Sequence, residues 1–496
     1  MIGRPGARRP AVPSYPADQI HRSHPAKLDA RLWWIAAVCV AGSFMNLLDT
    51  TVVTVALRTF VATFDSTQAV VAWTITGYTL ALAAVIPLSG WAADRFGTRR
   101  VFIGSVVTFT LGSLLCAIAP DITMLIAARV VQGIGGGMLT TLTLTIVNRE
   151  AGPRRVGRVM AVLGIPVVLA PAFGPVLGGW LIDSYSWQWI FWINLPVGVA
   201  AIALAAIVLP HDDSAPSEPF DAIGMLLLSP GLPILLYGMS EIPSRGSVTD
   251  SHVGIPVAIG MALIVGFVFH ALYRSGKPLI DLRLLTNRAF TLTNAAMFLY
   301  IVSTFGAGVL FPSYFQQLLN QTPLQAGMSV VPRGIGAAIT VPLAGTVMDR
   351  RGARGVLVLG VTLIVAGMGV FAYGVASQRE SLPMLLTGLT MVGLGMGSTR
   401  MPLVAVAMQT LAPHQMARGS TLIKVNQQVA AAVGTALMSV ILTSRLDRPD
   451  QHLSQNDLSY AYSAAFLVAV ALVSLTFLPL AFLYKKPSGT GEYGTT

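Results

Sequence analysis

Long apolar runs dominate the chain. They show no alternation of polarity and are separated only by short connections rich in arginine. Fourteen runs can be marked, at 33–57, 69–91, 101–119, 122–148, 157–183, 187–210, 222–241, 253–273, 289–312, 322–347, 355–376, 382–408, 418–443 and 459–484. The runs at 222–241 and 382–408 are interrupted by proline or arginine. A helix crosses a bilayer core with about 20 apolar residues, so each run is of spanning length. In lipid, backbone polar groups must be satisfied within the protein, which leaves only helices or closed barrels. Barrel strands alternate apolar and polar residues, and these runs do not. Only 11% of the 496 residues are charged and 54% are hydrophobic, against about 25% charged in a soluble domain. A soluble enzyme and a single-anchor protein are both excluded. The expected class is an all-α polytopic membrane protein with 14 transmembrane helices.

The formal charge of +11 reflects the placement of basic residues between the runs. With a cytoplasmic N-terminus, 23 of the 32 lysines and arginines fall on the inner side, five on the outer side and four inside runs. That asymmetry sets orientation in membrane proteins and predicts that both termini are cytoplasmic. Residues 1–32 read as a disordered basic tail and 485–496 as a second tail. Cys39 and Cys116 lie in separate apolar runs and imply no disulfide framework. Several tryptophans, among them Trp33, Trp34, Trp73, Trp91, Trp187 and Trp189, stand at run ends and are expected to anchor at the interface.

Gly90-Trp-Ala-Ala-Asp94-Arg95-Phe-Gly97-Thr-Arg99 reappears as Gly345-Thr-Val-Met-Asp349-Arg350-Arg-Gly352-Ala-Arg354, at a constant offset of 255. Each copy follows the second run of its half, which points to a duplicated bundle with a binding site between the copies. Six spans need fewer residues than the offset provides, so two additional helices fit in the gap. The expected organisation is a first six-helix bundle at 33–210, two extra helices and their loops at 211–288, and a second six-helix bundle at 289–484.

The first of these loops resembles the G-x-L-A-D-R-x-G-R-K signature of the major facilitator superfamily, matched by Gly90, Asp94, Arg95, Gly97, Arg99 and Arg100. Leu48 to Leu57, including Asp49, is similar to the first-helix motif of the fourteen-helix drug:proton antiporters of the EmrB/QacA type, with Thr54 in place of asparagine and Arg58 in place of proline. Arg129, Gln132, Gly133 and Gly135 resemble the fourth-helix motif R-x-x-Q-G-x-G. Gly174, Pro175, Gly178 and Gly179 resemble the fifth-helix motif associated with antiport, and Trp187 to Gly198 also resembles the family. The resemblance covers residues 33–484. It implies the major facilitator fold and proton-coupled export of hydrophobic, cationic drugs or toxic compounds by alternating access. It also implies a bacterial inner-membrane location and a cytoplasmic gate at the two repeated loops, Asp349, Arg350 and Arg354 included, which latches the halves in the outward-open state. An exporter of an endogenous lipid, siderophore or metabolite on the same fold is the alternative.

Asp49 is the sharpest chemical feature, because a carboxylate inside a span faces a cavity or a partner. Ser43, Asn46, Asp49, Thr50 and Thr54 read as one polar side of the first helix, lining a water-filled cavity. Asp49 lies about 24 Å along its helix from Trp33, and Arg129 about 12 Å from Asp121, at 1.5 Å per residue. Both fall in the outer half of a core about 30 Å thick. The resemblance implies that the first and fourth helices flank the central cavity, so the two are expected to pair there, directly or through water, giving a carboxyl whose protonation follows water, Arg129 and substrate.

In the second half, Arg333, Arg400 and Lys424 lie inside runs, the last beside Gln427 and Gln428. Arg333 lies about 16 Å into its run at 1.5 Å per residue, too deep to reach the interface easily, and needs a partner. Arg400 and Lys424 read either as cations reaching for the interface or as a polar site for anionic or zwitterionic groups. Gly133 to Gly137 has no strand before it and so is no dinucleotide loop, and no phosphate-binding G-x-x-x-x-G-K-[ST] occurs. No catalytic cluster, metal site or cofactor is expected, the proton gradient being the energy source. Expected partners are the lipid bilayer, protons, small hydrophobic or cationic substrates and an accessory protein; nucleic acid is not among them.

Overall fold

The computed structural model describes residues 30–151, 159, 164, 170, 173–174, 176–210, 220–242, 250–273, 279–321, 323–377, 381–412, 415–446 and 455–483. Every regular element among them is helical. In the first half these are α1 (Ala30–Thr63), α2 (Gln68–Phe96), α3 (Thr98–Ala117), α4 (Ile122–Ala151), the single turn α5 (Trp189–Trp192) and α6 (Asn194–Val208). Between the halves lie α7 (Ala222–Ser240) and α8 (Ser251–Tyr273), followed by a 3₁₀ turn at Leu282–Thr286. The second half holds α9 (Arg288–Gln317), α10 (Pro323–Arg351), α11 (Ala353–Ala376), α12 (Leu382–Gln409), α13 (Met416–Leu446), α14 (Gln455–Leu475) and α15 (Phe477–Leu483).

Thirteen helical stretches among the described residues are long and apolar enough to cross a bilayer, and they fall on thirteen of the fourteen expected runs. The remaining run, 157–183, lies largely outside the described residues, as do 1–29, most of the loop 211–221 and 484–496. The two interrupted runs form α7 and α12 with Pro230, Pro233 and Pro402 inside them. Neighbouring helices and local adjustment make such prolines tolerable in membrane spans.

The duplication is written into the backbone. Among the described residues four have positive φ, and they form two pairs at the offset of 255: Asp65 with Asn320 at 45° and 49°, and Gly97 with Gly352 at 86° and 83°. The first pair turns α1 into α2 and α9 into α10; the second turns α2 into α3 and α10 into α11. Gly97 N–H donates to Ala93 O at 3.0 Å, and Gly352 N–H to Met348 O at 2.9 Å, so the same turn closes both loops. Pro87 in α2 and Pro342 in α10 keep the same offset.

Close helix approach is repeated too. A methyl on Gly135 would lie 2.6 Å from Ser105 O, and one on Gly395 would lie 2.5 Å from Gly360 O. Gly133 and Gly137 face the carbonyls of Tyr78 and Leu82 on α2, while Gly393 and Gly397 face those of Arg333 and Ala337 on α10. Alternate glycines on α4 and α12 thus let α2 and α3, or α10 and α11, approach to backbone contact, as small residues do in membrane bundles. The Gly133–Gly137 run is a packing device.

The halves meet through α13, which packs against α2 and α4. Helix α7 lies along that seam, touching both α2 and α13. Leu232 and Leu236 pack there with Ala83, Leu80, Val425 and Val429, and Trp73 stacks on Tyr237 at 5.7 Å. Helix α8 packs on α7 and presents Ile255, Ile259, Val265, Phe269 and Leu272 outward. So large an exposed apolar surface suits contact with acyl chains.

Candidate functional site

Asp49 and Arg129 are sealed together inside the first half. The Arg129 guanidinium donates through Nη1 to Asp49 Oδ2, and the two side chains are 1% and 0% exposed. Helix α4 carries Gln132 one turn further, where Nε2 donates to Asp49 Oδ1 at 2.9 Å and Oε1 accepts from Arg129 Nη1 at 2.6 Å. Asn194, the second-to-last residue before a proline in the Trp187–Gly198 run, donates to the same Oδ1 at 3.1 Å and to Ser113 Oγ at 3.0 Å. Arg129 also donates from Nε to Thr74 O at 3.0 Å, and its guanidinium lies 4.1 Å from the centre of the Tyr78 ring. The Tyr78 hydroxyl donates to Asn46 Oδ1. Asn46 in turn approaches α4 at Gly136, where a Cβ would fall 2.6 Å from Asn46 Oδ1. The pair and the groups that hold it thus draw on five helices, α1, α2, α3, α4 and α6.

The structure brings Asp49 and Arg129 together, though in surroundings that differ from the expectation. Asp49 is 1% exposed rather than lining a water-filled cavity among the described residues, and its carboxylate accepts from Arg129 and Gln132 of α4 and from Asn194 of α6. Asn46, three residues earlier, shares its face. Thr54 does not: five residues is about 140° round a helix at 3.6 residues per turn, and Thr54 is exposed, with its hydroxyl on Thr51 O at 2.6 Å. Thr50 is half-buried and donates to Asn46 O at 3.0 Å. Asn194, Ser113 and Tyr78 were invisible to helix-by-helix reading; a lone amide between Ile193 and Leu195 was the one available signal.

At the end carrying the repeated loops, Asp94 bridges the halves. One carboxylate oxygen lies 3.4 Å from Arg149 Nη2 of its own half, and the other 3.7 Å from Arg418 Nε at the start of α13. Thr145 and Ser420 hydroxyls lie 2.6 Å apart across the same seam, and Ser89 and Thr421 3.4 Å apart. Gly90 is where it is because a Cβ there would fall 2.8 Å from Thr421 Oγ1. Arg99 donates to Ala206 O, tying the loop to α6, while Arg95 and Arg100 are exposed. In the second loop Asp349 is half-buried and Arg350 and Arg354 are exposed. Arg149 and Arg418, read from sequence only as orienting charges, are the cations that meet Asp94.

In the fifth-helix motif, Gly174 and Gly178 abut Thr51 and Val52 of α1. Gly179 faces open space and serves no close approach; Pro175 lies outside the described residues. Trp187 is not an interfacial anchor. It is buried and packs edge-on against Phe60 and Phe64 at 5.4 Å each. His270 places Nε2 2.8 Å from Asp221 Oδ1, so it joins α8 to the buried cap of α7.

The second half has no counterpart of the Asp49–Arg129 pair. At the repeat offsets Thr304 stands for Asp49 and Leu389 for Arg129, both buried. Its cations gather instead between the halves. One hollow of about 540 Å³ is lined by Tyr300, Arg333, Arg400 and Met401 together with Gly164 of the first half. A second, of about 610 Å³, is lined by Arg400, Met401, Lys424 and Gln427 with Ser43, Leu47, Thr140 and Thr143 of the first half. Gln428, one position on, is half-buried and lines neither hollow. Arg400 and Lys424 thus both line space between the halves.

A family model described as Major Facilitator Superfamily matches residues 39–435 and 293–493. The chain belongs to the major facilitator superfamily. It is 54% identical to the multidrug resistance protein B homolog of Mycobacterium tuberculosis over 94% of this chain and 92% of that protein. It is 29% identical to the MdtD multidrug resistance protein of Serratia proteamaculans over 92% and 94% of the two chains. Among solved structures, the human organic anion transporter MFSD10 (TETRAN) superposes with a TM-score of 0.60 at 17% identity, over 90% of this chain and all of that one. The proton:xylose symporter XylE does so with a TM-score of 0.60 at 13% identity, covering 90% and 96%. The cargo of the two differs, so they speak for the architecture alone. This superfamily member is therefore a multi-pass membrane transporter with relatives among multidrug resistance proteins, and not an enzyme.

Proposed function

We propose that the chain is a proton-coupled exporter of hydrophobic compounds, seated in the bacterial inner membrane with both termini cytoplasmic and fourteen spans. It exchanges protons for cargo as its halves tilt about the seam between them. The observation that carries this reading is the buried Asp49–Arg129 pair. Ionised, Asp49 is matched by one guanidinium and two amide donors. Protonated, it leaves Arg129 buried without its counter-charge, and losing one partner of a buried pair costs about 3–5 kcal/mol. Protonation therefore favours any rearrangement of α1 against α4 that admits water or moves the guanidinium. A carboxyl of this kind couples proton uptake to a change of shape without any nucleotide.

Contacts at the loop end support the alternating part. Asp94–Arg418, Thr145–Ser420 and Ser89–Thr421 all join the two halves at the end that the basic loops assign to the cytoplasm. We read this as the conformation closed to the cytoplasm, which the Asp94 contacts hold and which must open for loading. The multidrug resistance relatives support export as the direction. A cationic cargo was expected on the premise that Asp49 lines the cavity. With Asp49 sealed, that premise loses its geometric support, whereas the three cations between the halves favour the alternative of an endogenous acidic lipid or metabolite.

The test is export of fluorescent hydrophobic dyes, of both charges, by everted vesicles. Export should need the proton gradient and stop with a protonophore. Asp49→Asn should abolish the release of protons on adding cargo while leaving insertion intact; undiminished release overturns the coupling role.

A further inference from the structure

We propose that the space between the halves is a binding site for amphiphilic organic anions, with Arg333, Arg400 and Lys424 receiving the negative head. This names the cargo class of the exporter proposed above and rests on that reading for transport, though not for binding.

Three observations carry it. First, the charge in this space has one sign. Arg400 lines both hollows, Arg333 one and Lys424 the other, and among the described residues no aspartate or glutamate lines either. None of the three makes an ion pair among the described residues, and the buried carboxylate nearest in kind, Asp49, is already occupied by Arg129, Gln132 and Asn194. Charges drawn out of water are normally paired, so three half-buried cations with no ion-pair partner among the described residues form a receptor lacking its counter-charge.

Second, hydrogen-bonding capacity is held open there. Arg333 Nη1 and the Tyr300 hydroxyl are both buried with no partner among the described residues, and both belong to the first hollow. Native proteins satisfy nearly all buried polar side-chain atoms. Two donors unmatched at one wall call for an acceptor from a ligand, and a carboxylate, phosphate or sulfonate supplies several, in the fork geometry that guanidinium groups favour.

Third, the surroundings are apolar and aromatic. The Arg333 guanidinium lies 5.6 Å from the Phe311 ring and Arg400 lies 5.8 Å from Phe305. Met396 and Met401 complete the wall, and methionine adapts to varied apolar shapes. An anionic head with a flat or flexible apolar body fits these chemistries together. A cation would meet repulsion from three like charges with no carboxylate to offset it.

Repetition isolates the feature. Arg333 stands at the offset of 255 from Tyr78, and Arg400 at 260 from Thr140, the offset that relates the α4 and α12 glycines. The backbone needs no charge at either place, since the first half makes the same contacts without one.

The experiment uses the purified full-length protein in nanodiscs of zwitterionic lipid. The probes are pyrenebutyrate, its neutral methyl ester, and the pyrenebutyl-trimethylammonium cation, with affinity read from probe fluorescence. The carboxylate should bind at least about tenfold more tightly than ester or cation. Arg333→Gln, Arg400→Gln and Lys424→Gln should each weaken it by about tenfold without changing ester binding, and Arg400→Lys should retain most of it, showing that charge and not folding is read. Adding phosphatidylglycerol to the discs separates the sources: competition marks a lipid head as occupant, and its absence marks a free small anion, either one an occupant of the proposed class. Equal or tighter binding of ester or cation, or unchanged carboxylate binding in all three glutamine variants, overturns the proposal. Neither result touches proton release through Asp49, so the two readings fail separately.

Discussion

Tyr78 and Arg333 occupy the same place in the two repeats. The carbonyl of each lies against a glycine of the neighbouring helix, Gly133 and Gly393. From that shared position Tyr78 covers Arg129 with its ring, while Arg333 turns a guanidinium into the space between the halves. One backbone thus hosts two functions, and the difference is made by side chains alone.

Arg333→Met should therefore not lower stability. Arg333 makes no ion pair among the described residues, so removing it strands no counter-charge, the step that makes breaking a buried pair costly. The unfolding midpoint of the ligand-free protein in detergent should not fall, while export falls. A loss of several degrees would show that Arg333 is structural.

Asp49 and Arg129 should be energetically coupled. Arg129→Gln or Asp49→Asn alone should cost about 3–5 kcal/mol, the usual penalty for leaving one member of a buried pair. The double variant should cost clearly less than the two together, the signature of contact in a double-mutant cycle. Thermal or denaturant unfolding of all four proteins measures it.

Asn194→Leu should destabilise the first half by about 1–3 kcal/mol, because Asp49 Oδ1 and Ser113 then lose a donor inside the bundle. It should also alter the pH profile of dye export, since a donor to the coupling carboxylate is gone. An unchanged profile would separate Asn194 from coupling.

Gly97→Ala and Gly352→Ala should each cost about 1–3 kcal/mol, the range for a side chain forced into backbone space that only glycine visits readily. Similar penalties at the two positions are expected from their matching φ values, read as matched falls in unfolding midpoint.

Thr145→Cys with Ser420→Cys should form a disulfide across the halves, the present hydroxyls being 2.6 Å apart. Cross-linking should stop transport reversibly with reductant. Asp94→Asn should lower the cross-linked fraction by loosening the contact with Arg418; an unchanged fraction would remove Asp94 from the latch.

Helix positions were legible because lipid leaves the chain so few options, and the repeated Gly90 and Gly345 loops were legible because turns demand particular residues. The Asp49–Arg129 pair followed from depth along two helices together with the helix neighbours that the family resemblance implies. What helix-by-helix reading missed was partnership across helices. Asn194 and Ser113 are polar residues that look incidental in their own runs, and only packing shows that they meet at one oxygen. Thr54 failed for a simpler reason, since a list of polar residues is not a face unless the angles agree. Arg149 and Arg418 looked like address labels, and nothing short of the assembled seam shows which of many arginines meets Asp94.

Helix α7 carries a consequence for speed. It is pressed along α2 and α13 through Leu232, Leu236 and the Trp73–Tyr237 stack, so every cycle must drag this strip over its neighbours. Friction there, set by bilayer fluidity or by a molecule wedged in from the acyl side, would throttle turnover while every group in the interior stayed untouched.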